Sequence, residues 1–277
     1  MNTSTVTIAG AQTVVAHPSR GPASPVVPRE HGALGQAVVP LVVGLGLGTP
    51  RFAALGIAVA ALLLFLAHEP LVLLLGQRGR RQQRERSPQA KRWLGVLVSA
   101  AIGIGGASAL AVGWQVLLAC LACITMAGVV LVAFMMRGRE RTAMGEVSVA
   151  ITLPSALVPV AMASNVAAAT ALVCWSSLSL AYVAGVFGVR GIVASQRKRS
   201  SGVGAVASGW SGLTLSLLAL ASIAAFSTGA ALAGLVFGVI VAAIRWKSPS
   251  LRHMRRVGWV LVGANLAQAI ILITWIR

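Results

Sequence analysis

The chain has 277 residues, 57% of them apolar and 10% charged, and its 23 Lys and Arg against five acids give a net charge of +18. An average soluble domain carries about 25% charged residues, so a water-soluble globule is excluded, and a disordered chain is excluded because disorder is poor in apolar residues. Three Cys are no disulfide framework and Gly follows no strict period, which leaves an all-α polytopic membrane protein.

Residues 1–28 are rich in Ser, Thr, Ala and Pro and read as a disordered cytoplasmic tail. The apolar run 6–16 within them has no Lys or Arg before it, so it lacks the charged region that opens a signal peptide. Residues 29–277 read as a single transmembrane helical domain. Crossing the hydrocarbon takes about 20 apolar residues. Nine runs are candidates: 33–48, 52–75, 93–112, 114–136, 147–164, 166–189, 203–226, 230–244 and 257–276. The first is short and contains Pro40, and the eighth is also short. A helical hairpin or a re-entrant segment is the alternative at either one.

The linkers fall into two classes. Stretches 78–92, 137–141, 190–199 and 245–256 hold seven, three, four and five basic residues, and the tail adds Arg20 and Arg29. Only Arg51 and Arg277 fall on the other side. Cytoplasmic loops are the ones enriched in Lys and Arg, so the N-terminus is expected in the cytoplasm and, with nine spans, the C-terminus outside. Trp93, Trp246 and Trp259 fall near the cytoplasmic boundary and Trp114 and Trp275 near the outer one, where indoles concentrate. Trp175 and Trp210 lie within spans and read as packing residues. The basic blocks have no interleaved aromatics to stack on bases, so no nucleic-acid role is expected.

Cys120 and Cys123 form a CxxC inside an apolar span with no His nearby, and with Cys174 they read as small packing residues. The Gly clusters at 44, 46 and 48, at 103, 105 and 106, and at 234 and 238 lie within spans, where small residues let helices approach closely. No residue set has a metal-ligand spacing that stands on its own, and the sequence names no cofactor.

The acids are more informative. All five are Glu, at positions 30, 69, 85, 140 and 146, and there is no Asp. Ionisable groups at membrane depth are costly and are functional candidates by default. Glu30 and His31 open the first span. From Phe52 to Pro70 is 19 residues, about 28 Å of helix, so His68 and Glu69 come level with them at the cytoplasmic face. Glu140, Arg141 and Glu146 follow the fourth span on the same side, and Arg190 closes the sixth, eight residues after Tyr182, the only Tyr. His68, Glu69 and Glu146 are the candidates for proton transfer. Glu30, His31, Glu140, Arg141, Tyr182 and Arg190 are the candidates for ligand binding. The alternative for each is an interfacial ion pair, which is the reading for Glu85 among its arginines. Asn265 and Gln268 in the last run read as interhelical hydrogen-bond partners.

From Pro28-Arg29-Glu30-His31-Gly32-Ala33, with Pro40 and Gly44 following, the chain resembles the YwiC-like family of bacterial membrane proteins. Further matching pieces come in the expected order. They are Phe65-Leu66-Ala67 before Pro70-Leu71, Glu140-Arg141 with Gly145-Glu146, Val189-Arg190 after Tyr182, and Met254-Arg255-Arg256-Val257-Gly258. Leu34 departs from the large aromatic usual after Gly-Ala. The resemblance implies a multi-pass protein of the bacterial cytoplasmic membrane and carries no activity with it. Nine spans with the N-terminus inside is also similar to the topology of UbiA-type intramembrane prenyltransferases. Those enzymes hold Mg²⁺ with Asp-rich motifs; with no Asp here, that chemistry does not carry over.

Three functions compete. A cytoplasm-facing pocket could bind an amphiphile with an anionic head, such as a lipid phosphate, Arg141 and Arg190 neutralising the head and the bilayer-embedded bundle holding the tail. If that pocket is catalytic, His68 is the expected proton carrier. A secondary transporter could use Glu69 or Glu146 as its proton-coupling carboxylate. A non-catalytic assembly factor would depend on the Gly faces and not on the acids.

Overall fold

The computed structural model describes residues 31–77, 79–136, 142–196 and 203–276, and these fold into helices with no strand among them. The helices are α1 (His31–Gly46), α2 (Phe52–Leu74), α3 (Arg80–Val112), α4 (Trp114–Met136), α5 (Ala143–Thr152), α6 (Leu157–Ala163), α7 (Ala168–Gln196), α8 (Val203–Ser222), α9 (Thr228–Lys247) and α10 (Met254–Ile276). The tail 1–28, and with it its expected disorder, lies outside the described residues.

Among the described residues seven segments are long and apolar enough to cross a membrane, taking α5 and α6 as one; shorter apolar stretches are Gly35–Gly46 and Gly209–Ala225. In hydrocarbon every backbone polar group must be satisfied internally, which makes helices the available solution for such runs. The chain is a multi-pass integral membrane protein.

Three boundaries differ from the expected runs. The basic stretch 80–92 is not a loop: it is the first three turns of α3, whose 33 residues measure about 50 Å. Its Arg, Gln, Glu, Lys and Ala residues are good helix formers. Gln83 Nε2 also donates to the Leu74 carbonyl at 2.6 Å, tying α3 to the open end of α2. Arg190 does not close a helix either, because α7 runs on to Gln196. The fifth run is broken, with a 3₁₀ turn at Leu153–Ala156 separating α5 from α6.

Prolines explain the break. A Pro removes the N–H that would bond the carbonyl four residues back. Pro159 thereby frees the Ser155 carbonyl, and Cys123 Sγ donates to it at 3.3 Å. The Ile151 carbonyl accepts from Trp175 Nε1 at 3.0 Å and from Ser179 Oγ at 3.3 Å. Cys123 and Trp175 therefore pack as expected, but they also satisfy carbonyls that the break exposes. Replacing Cys123 by Ala should cost about 0.5–1 kcal/mol, since a thiol is a weak donor. In a Pro159→Ala background position 159 has its own N–H for Ser155, and the cost should vanish. A double-mutant cycle of thermal stability checks this coupling.

Hydrogen bonds and close contacts settle which helix ends lie together. The Thr49 N–H bonds to the Ser164 carbonyl at 3.0 Å, joining the α1–α2 and α6–α7 links. Gly56 meets Ser108, which sets α2 antiparallel to α3. Gly229 meets Trp275, joining the start of α9 to the end of α10 at the same end as Thr49. At the opposite end Gln196 Nε2 donates to the Ser248 carbonyl at 2.9 Å. The bundle thus has a basic end, with Arg80 to Arg92, Arg190, Arg245, Lys247, Arg252, Arg255 and Arg256. Among the described residues the other end has Arg51.

The core is unevenly distributed. Half of the apolar stretch of α7 is buried, against 6% of that of α4 and 11% of that of α3. The main cluster packs Val43, Leu157, Leu178, Leu220 and Leu272 from α1, α6, α7, α8 and α10. So α7 is the central post of the bundle, and α3 and α4 present apolar side chains outward, as lipid-facing helices do. Trp114, Trp246, Trp259 and Trp275 are exposed near helix ends, and Trp93 is exposed inside α3 where its basic turns give way to its apolar stretch, positions that suit a boundary layer.

Candidate functional site

At the basic end α5 begins at Thr142, whose hydroxyl accepts from the Gly145 N–H at 3.2 Å. This N-cap places Glu146 in the first turn, where the helix dipole favours a carboxylate. α5 packs on α7, and Glu146 Oε1 lies 2.9 Å from Arg190 Nη1. The two candidates, 44 positions apart in sequence, are thereby brought together. Their side chains are 38% (Arg190) and 39% (Glu146) exposed, so the pair contributes less than about 1 kcal/mol to stability. It is open to whatever approaches the boundary.

Tyr182, two turns deeper on α7, is buried in the core. Asn265 Nδ2 donates to its hydroxyl at 3.0 Å, and that hydroxyl lies 3.2 Å from Asn265 Oδ1 and 3.5 Å from the Gln36 carbonyl. Gln36 is the residue whose carbonyl Pro40 leaves without its helical donor. Tyr182 therefore links α7 to α10 and α1. Gln268 Nε2 reaches the Ser177 carbonyl at 3.5 Å, so both polar residues of the last run bridge helices as expected.

His68 is exposed and Glu69 half-buried, one turn before the end of α2. α2 packs chiefly on α3, α6 and α1, so these two share the basic end with Glu146 and Arg190 but stand on a different group of helices. His31 opens α1; Glu30, Glu140 and Arg141 lie outside the described residues. Among the described residues no three His, Cys, Asp or Glu side chains gather as a metal site.

Arg245 is the residue that pattern reading missed. The sequence pattern places it in a basic linker, whereas it lies in the last turn of α9 and is 1% exposed. Its guanidinium carbon sits 5.1 Å from the Trp210 ring centroid, and Nη1 donates to Ser195 Oγ at 3.4 Å. A Cβ at Gly191 would stand 2.5 Å from Arg245 Nε, so only glycine leaves room for the guanidinium against α7. Trp210 is thus a cation–π partner near the basic end as well as a packing residue. A signal was present in the sequence. Gly234, Gly238, Val241 and Arg245 follow at four, three and four residues, one continuous helix face. That face is buried along its length.

Arg190 of α7 meets Glu146 of α5, and Arg245 of α9 packs against Gly191, the next residue of α7. Gly188, Ile192, Val241 and Val257 pack together between α7, α9 and α10 on the Arg245 side.

Residues 27–163 match the family model described as YwiC-like protein. The match takes in the opening motif, His68 and Glu69, and Glu146, and stops before Tyr182 and Arg190. No curated protein and no solved structure matches the chain.

Proposed function

We propose that this chain, a YwiC-like protein over residues 27–163, holds the anionic head of a membrane amphiphile, a lipid phosphate being the plainest case, at its basic end. The reading takes the basic end as cytoplasmic, by the enrichment of Lys and Arg in cytoplasmic loops, with nine crossings and the C-terminus outside. The observation that carries it is the half-open Glu146–Arg190 pair at 2.9 Å. An arginine held at the boundary by a carboxylate is oriented for a bidentate oxyanion, and phosphate competes well for such a group. Arg141 would add charge to the same site. His68 and Glu69 would serve it from the neighbouring helices if a proton is moved.

Native mass spectrometry in mild detergent tests this with phosphatidic acid as the probe. Arg190→Gln should lower retained phosphatidic acid about tenfold, the size of one lost charge-assisted contact. Glu146→Gln should leave retention equal or raise it, because it removes the competing carboxylate. If wild type and Arg190→Gln retain the lipid equally, the reading fails.

A second reading, a proton-coupled secondary transporter, is favoured by the break between α5 and α6. Broken helices line the substrate sites of many transporters. Proton flux driven by an anion gradient in proteoliposomes, abolished by Glu146→Gln, would favour it over the first.

A further inference from the structure

At the end of the bundle opposite the basic one, the α1–α2 and α6–α7 links frame a cleft of about 330 Å³. Ligand pockets begin at roughly 300 Å³. Its polar walls are Thr49, Ser164, Asn165 and Thr170, with Val166 and Ile276 as apolar walls, and among the described residues no charged side chain lines it.

The cleft is held in shape. Gly48 lies so close to the Ser164 carbonyl that any Cβ would overlap it, and the Thr49 N–H bonds to the same carbonyl at 3.0 Å. The opposite rim is a left-handed turn at Asn165, φ 69°, closed by bonds from Asn165 N–H to the Met162 carbonyl and from Val166 N–H to the Ala161 carbonyl, both 3.0 Å. Asn165 is thus the αL residue that ends α6. Ser164 Oγ donates to the Val160 carbonyl at 3.0 Å and is buried beneath the cleft floor. Thr49, Asn165 and Thr170 spend none of their side-chain hydrogen-bonding capacity within the described protein.

The helix ends around the cleft decide its ligand class. The C-termini of α1 and α6 bring carbonyls to this end, while the first turn of α7, which contains Thr170, brings N–H groups. An anion would face the carbonyls and a cation the N–H groups. A neutral hydroxyl both donates and accepts, so it satisfies either. We propose that this cleft binds an uncharged polyhydroxylated group about the size of one sugar ring, either the head of a membrane glycolipid or a free sugar. The site is independent of the basic end.

The test uses the full chain in phosphatidylcholine nanodiscs with two probes, monoglucosyl diacylglycerol in the bilayer and glucose in solution. Retained glycolipid is read by native mass spectrometry and bound glucose by equilibrium dialysis. Asn165→Gly keeps a residue suited to the left-handed turn and removes the amide; Thr170→Val removes the hydroxyl at constant shape. Wild type should bind at least one probe, and the double variant, with unchanged thermal stability, about tenfold less. Binding of glycolipid alone identifies the lipid source, and binding of glucose identifies the free sugar. Arg190→Gln should leave either result unchanged. The proposal is overturned if wild type binds neither probe, or if wild type and the double variant bind equally.

Discussion

Gly48→Ala is expected to lower the thermal unfolding midpoint by roughly 5–15 °C, the equivalent of about 2–4 kcal/mol in a chain of this size. The added Cβ would overlap the backbone oxygen of Ser164, an atom that no rotamer change can move. Overpacking against backbone costs about 1–3 kcal/mol, and separating the links also breaks the Thr49–Ser164 hydrogen bond, worth about 1 kcal/mol more. Gly103→Ala is the internal control, since nothing lies near its added methyl. A helical Gly→Ala change there should leave the midpoint unchanged or raise it slightly. Thermal denaturation of both variants in one detergent separates the effects. Equal midpoints would mean that the two links are not packed as described.

Arg245→Ala is the second large effect. The side chain fills a slot between Gly191, Trp210 and Ser195, and truncation leaves a cavity among α7, α8 and α9. Large-to-Ala changes in cores cost about 2–4 kcal/mol, and a desolvated cation–π contact adds to that. Arg245→Met keeps most of the volume and removes a charge that is costly to bury, so it should cost less than about 1 kcal/mol. The expected order of unfolding midpoints is wild type close to Met, with Ala lower by roughly 5–15 °C. A Met variant as unstable as the Ala variant would show that the charge, and not the volume, holds the three helices. Phosphatidic acid retention in the folded Met variant then reports whether the buried guanidinium adds to the field at Arg190.

Several features were legible because they depend on one segment at a time. An apolar run in hydrocarbon favours a helix whatever its neighbours are, and among the described residues seven of the nine expected runs are apolar helical segments of spanning length, the first and seventh being shorter. Charges avoid the membrane, so the basic blocks mark helix ends. Glu146 and Arg190 could each be singled out as an ionisable group at the edge of an apolar run. Hydropathy could not show where α3 begins, because Arg80 to Arg92 is polar and yet strongly helix-forming. Nor could it show the break at Leu153–Ala156, since averaging hides it and the exposed carbonyls are tolerated only because Cys123, Trp175 and Ser179 reach them.

Class, helical content and the segregation of charge therefore follow from the sequence by itself, through the cost of leaving polar groups in lipid. Partnership does not. That Glu146 meets Arg190 rather than one of the other arginines is decided by the packing of α5 on α7. Arg245 is buried and not solvated because Gly191 and Trp210, distant in sequence, form its slot. The cleft at the far end exists because Gly48 lets two links touch. Local propensity acts through neighbours along the chain, whereas the solvation of a side chain depends on which helix faces it, and only the tertiary structure decides that.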